Sequence, residues 1–135
     1  MRGIASWFFV SGVIYVSIGM IFGIWMSASG DHTLAPAHAH LNLVGWVTMA
    51  LFGIYYHLVP AAAQGRLPTL HFALATVGVW LMFPGIILAL QGKTELLAVL
   101  GSLATLLSML LFLVIVLMKA SSSAANSMMG TAPAE

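Results

Sequence analysis

Apolar residues fill four long stretches of this chain, residues 4–26, 38–63, 70–90 and 94–118, separated by short polar interruptions. Each stretch meets the length of about 20 apolar residues that one helical crossing of a bilayer requires. The interruptions carry turn chemistry: Gly30, Asp31 and Pro36 in the first, Gly65 and Pro68 in the second, and Gln91-Gly92-Lys93 in the third. Short connections make sequential helices antiparallel neighbours, so the pattern predicts an all-α integral membrane bundle of four transmembrane helices. Residues 1–119 form one domain. Residues 120–135, rich in Ser, Ala and Met without periodicity, are expected to be a disordered tail.

Glycines at 12, 19 and 23 lie on one side of the first span, and Ala98, Gly101, Thr105 and Ser108 on one side of the fourth. Both stripes read as surfaces for close helix packing. Pro84 removes a hydrogen bond inside the third span, so a bend is expected there. The first apolar stretch is too long, and its basic region of one Arg2 too weak, for a secretory signal, which favours a retained helix.

Composition supports the membrane assignment. Of 135 residues, 61% are hydrophobic and 5% charged, and a soluble domain this small cannot hide so much apolar surface. Cysteine is absent, which excludes disulfides, iron–sulfur clusters and thiolate-held metal. A net charge of +1 with scattered basic residues gives no footprint for nucleic acid. Arg2, Arg66 and Lys119 fall at one end of a four-span bundle, against Lys93 at the other with Asp31 and Glu95. The positive-inside rule then predicts that both termini are cytoplasmic, and a bacterial inner membrane is the expected location.

The candidate chemistry lies in histidine. His38 and His40 open the second span, and imidazoles at the edge of hydrocarbon are functional suspects. In an α-helix they stand roughly 200° apart, so they address two different ligands rather than one. The His38 side continues as Asn42, Gly45, Met49, Phe52, Gly53 and Tyr56, small, polarizable and aromatic residues against which a flat group can lie. The His40 side continues as Leu43, Val44, Val47, Leu51, Ile54 and Leu58, an aliphatic wall. His32 reads as an exposed loop residue. His57 and His71 fall at the other membrane surface, either as satisfied interfacial residues or as a secondary quinone or metal site. Tyr55 and Tyr56 read as interfacial anchors or as the lining of a redox or proton route.

Three readings of the His38/His40 pair are open: haem ligation, another metal, or a structural pair. Zinc wants about four N, O or S donors, whereas a porphyrin supplies four nitrogens and asks for one or two axial histidines. The chain holds no nucleotide loop, no carboxylate pair and no Ser/His/Asp set. It also has no intramembrane acid of the kind proton-coupled transporters or charged ion filters use.

His38-Ala39-His40-Leu41-Asn42, continuing through Ala50-Leu51-Phe52-Gly53 to Leu58-Val59-Pro60, resembles the second helix of the catalytic subunit of haem-copper oxidases and nitric oxide reductases. The resemblance implies that His38 ligates haem iron near the outer surface. The family's tenth helix carries a similar His-x-His pair that serves two haems. Its helices form three arcs of four about a pseudo-threefold axis, so a four-span chain resembling one arc implies a homotrimer. In that assembly each haem b is held between His38 of one copy and His40 of the next, beside Asn42, Gly45 and Met49. The family's copper site includes a His-x-x-x-Tyr motif that this chain lacks, so no copper site and no complete oxygen-reducing centre are expected. The expected function is that of a b-type cytochrome, an oxidoreductase component carrying electrons to or from a quinone or cytochrome, or binding nitric oxide or oxygen. The alternative is a cofactor-free accessory or scaffold subunit of a respiratory complex.

Overall fold

The computed structural model describes the backbone of residues 1–129 and side chains through residue 121. Four helices long and apolar enough to cross a membrane run up and down in sequence order, as the hydropathy pattern predicts. The first is α1 (Ile4–Ser29). The second is a composite rod: α2 (Ala35–His40), a π-helical segment (Leu41–Thr48) and α3 (Met49–Leu58). Then come α4 (Leu67–Leu90) and α5 (Leu96–Met129). α5 is helical past residue 120, where the tail is expected to begin, and residues 130–135 lie outside the described residues. No strand occurs among the described residues.

The helix ends follow their sequences. α1 stops at Gly30, whose φ of 70° is the left-handed conformation that a Cβ disfavours. Pro36 and Pro68 sit in the first turns of α2 and α4, where a missing N–H costs nothing. α4 ends in a Schellman motif: Gly92 donates to the Ala89 carbonyl and Lys93 to that of Leu88, which turns the chain tightly into α5. α4 continues through Pro84.

Buried residues make up only 17% to 39% of each apolar window. Most apolar side chains therefore face outward, including Ile21, Ile24, Leu58 and Trp80. Water does not tolerate such a surface, and a bilayer does; the four helices point to an integral membrane protein.

Lipid offers no hydrophobic drive for helices to associate, so the helices meet where small residues let backbones approach. α1 packs on the second rod through the predicted glycines. A Cβ on Gly12 would come within 3.1 Å of Trp46, and one on Gly23 within 2.9 Å of the His38 ring; one on Gly19 would collide with Asn42. α5 meets α4 through its own predicted stripe, with Ala98 against Gly85, Gly101 against Met82 and Thr105 against Gly78.

Candidate functional site

His38 and His40 sit in the last turn of α2, at the end of the bundle that carries Asp31, Lys93 and Glu95. The preceding turn is set by Asp31, whose carboxylate accepts from the Thr33 backbone N–H at 2.9 Å. The Thr33 hydroxyl and N–H together hold the Asp31 carboxyl below its usual pKa range. His32 is exposed, with Nδ1 3.2 Å from the Gly30 carbonyl.

His40 is exposed, and its Nδ1 lies 2.8 Å from the Pro36 carbonyl one turn back. A carbonyl only accepts, so Nδ1 carries the proton and Nε2 keeps its lone pair. That tautomer, fixed by a backbone carbonyl, is the arrangement of a histidine that ligates through Nε2. Exposed Leu43 and Val47 continue the outer surface below it.

His38 is held differently. Its ring is half-buried against α1, tilted on Phe22 at 6.3 Å between centroids and resting on Gly23. The Asn42 side-chain amide donates to the His38 carbonyl at 3.0 Å and lies 3.1 Å from His38 Nε2. Asn42 therefore orients this imidazole and competes for its lone pair.

Directly after His40 the backbone widens to i→i+5 bonding, and the Thr48 hydroxyl donates to the Leu43 carbonyl five residues back. The inward positions then recur every four residues, Ala37, Leu41, Gly45 and Met49, before the tighter α spacing of Phe52, Gly53 and Tyr56 resumes. Leu41, which the uniform 100° reading leaves off both faces, is buried. Segments of this kind are rare and concentrate at functional sites.

Within one chain, Gly45 is closed off by Tyr15 and Met49 is buried. The cavity between Leu41, Tyr15, Val79 and Phe83 is only about 50 Å³. Neither cavity beside these residues within one chain has room for a porphyrin. Among the described residues no three of His, Asp and Glu gather closely enough to hold a metal ion.

At the opposite end, His71 is fully buried and forms a hydrogen bond with Tyr56 at 2.9 Å through Nδ1. Its Nε2 has no polar partner. Phe52 at 4.4 Å, Phe8 at 4.9 Å and Phe112 at 5.3 Å between ring centroids surround it. An N–H toward aromatic faces is tolerated far better than a lone pair, so the Tyr56 hydroxyl donates to Nδ1 and the Nε2 proton points among the phenylalanines. Tyr56 is thus a core residue, a correction to its reading as an interfacial anchor. His57 is exposed and lines a separate cavity of about 520 Å³ with Arg2, Tyr56, Pro60 and Gln64. Tyr56→Phe is expected to cost about 1 kcal/mol in detergent thermal unfolding, and a cycle with His71→Leu to show coupling of similar size. Additivity of the two changes would mean that the bond contributes nothing.

No family model, curated protein or solved structure matches this chain. None of these comparisons links the chain to the haem-copper oxidases.

Proposed function

We propose that this protein is a membrane b-type cytochrome of the bacterial inner membrane, its termini cytoplasmic, with haem held at its outer end between copies of the chain. The observation that carries the reading is His40: an exposed imidazole whose Nδ1–H is committed to the Pro36 carbonyl, leaving Nε2 free as a ligand. With no cluster of protein ligands for a bare ion among the described residues, the fitting group is one that brings its own nitrogens. Haem, when bound, supplies one-electron chemistry or a site for a diatomic gas.

His40 is the primary ligand in this reading. His38 on a neighbouring copy is the second, once Asn42 retains the His38 carbonyl and releases the ring. Ligands from two copies also agree with the 200° between the residues in one helix, which forbids both from reaching one iron. A trimer follows from the oxidase likeness. The cavity beside His57, at the far end, suits the ring of a quinone as electron donor or acceptor.

The second reading, a cofactor-free accessory subunit, draws on the engagement of His38 by Asn42 and Gly23. A reduced-minus-oxidised spectrum of the purified protein separates the two. Sharp visible bands at stoichiometric haem support the cytochrome; a colourless protein from haem-replete cells ends it.

A further inference from the structure

The end of the bundle opposite the histidine pair carries most of the chain's basic residues, Arg2, Arg66 and Lys119. Between the start of α4 and the far part of α5 lies a cavity of about 260 Å³, lined by Gln64, Arg66, Leu67, Pro68, Ile115 and Lys119 among others. Two cations from different elements thus share one hollow. Neither has an ion pair or side-chain hydrogen bond among the described residues, and the two described carboxylates, Asp31 and Glu95, are in the loops at the other end.

Lys119 is half-buried. A lysine drawn against apolar residues keeps its stem on them and its ammonium toward the polar boundary. Here the stem is next to Ile115, which is buried, and the ammonium reaches the same hollow as exposed Arg66. Without an anion, two like charges face each other across this small space, a cost that one phosphate removes. At the start of α4, a helix of 24 residues whose Pro68 has no N–H and whose Leu70 N–H donates to the Arg66 carbonyl, the N–H groups of Leu67 and Thr69 remain to favour negative charge.

Below the hollow the surface turns apolar. Val114 and Leu110, one and two turns further along the side of α5 that bears Met118, are exposed. A molecule with a phosphodiester above and acyl chains below matches both halves, whereas a free anion uses only the upper one. The cavity is smaller than the roughly 300–1,000 Å³ clefts that enclose whole small molecules, which suits a headgroup with its chains left in the bilayer.

We propose that Arg66 and Lys119 form a binding site for the phosphate of an anionic phospholipid, seated between α4 and α5. The site is independent of haem. It would hold whether or not the histidines bind iron, and its failure leaves that reading untouched.

The test is competition between spin-labelled phosphatidylglycerol and spin-labelled phosphatidylcholine for the full-length protein in phosphatidylcholine vesicles. The wild type is expected to prefer the anionic lipid. Arg66→Ala and Lys119→Ala should each reduce that preference about five-fold, the change that about 1 kcal/mol per cation produces. Arg66→Lys should retain most of it. Arg2→Ala, a cation at the same end outside this cavity, should have little effect. Equal losses from Arg2→Ala and Arg66→Ala would overturn the proposal, because diffuse charge would then explain the preference. Displacement of the lipid label by millimolar inorganic phosphate would overturn it as well, since the site would then take free anions. Circular dichroism of each variant checks that the helices persist, and Arg66→Gln with Lys119→Gln repeats the test where an alanine variant fails to fold.

Discussion

On the cytochrome reading proposed above, His40→Ala is expected to lower the haem-to-protein ratio of the purified protein by roughly a hundred-fold, the upper range of losses already seen when only an outer-shell partner of a metal ligand is removed. The imidazole it deletes is the one whose lone pair is exposed and whose tautomer is fixed by the Pro36 carbonyl. His38→Ala should act in the same direction and leave any residual haem five-coordinate, with a newly open iron position that binds carbon monoxide. The sharper outcome comes from co-expressing the two variants. If haem is held between copies, a chain with only His40 can face a chain with only His38, and random assortment restores roughly a quarter of the sites. If each chain binds its own haem, mixing restores nothing. Bis-histidine spectra in both single variants would remove the scheme altogether.

The parts of this fold that sequence pattern reveals are those where one requirement dominates. A bilayer demands long apolar runs, and all four helices lie where those runs predict them. Lipid-embedded packing demands small residues, so Gly12, Gly19 and Gly23, and Ala98, Gly101 and Thr105, mark the two tight interfaces before any coordinate is known. The π segment is different. In a span where nearly every residue is apolar, the four-residue recurrence of Ala37, Leu41, Gly45 and Met49 has no polar positions to stand out against, and the altered register stays hidden. His71 is hidden for a related reason: its partner Tyr56 is 15 residues away and sits beside a more conspicuous histidine, His57. Burial separates these neighbours, and periodicity in an all-apolar helix carries little information about burial. Near His38, the sequence indicates a smooth face for a flat group. The structure covers that face with α1, which rests on His38, Asn42 and Gly45.

Gly101→Leu is expected to destabilise the protein by about 3 kcal/mol, the upper part of the range for overpacking a close-packed site. A Cβ at Gly101 would lie 2.7 Å from the Met82 Cα, and one at Gly85, on the facing helix, 2.6 Å from the Leu97 carbonyl carbon. These are backbone atoms, which no rotamer change can move aside, so α4 and α5 must separate along their whole contact. Gly101→Ala should show the same sign with a smaller loss. Ser102→Leu, exposed one residue on, should stay within about 0.5 kcal/mol of the wild type. The displacement also reaches the histidine end, because Met82 and Phe83 of α4 pack beside His40 with Leu41 and Val44. Pushing α4 outward removes that support, and Gly101→Leu should therefore weaken haem retention as well as lower the thermal midpoint in detergent, whereas Ser102→Leu should do neither. A Gly101→Leu protein that unfolds at the wild-type temperature would mean that α4 and α5 do not touch backbone to backbone at this crossing.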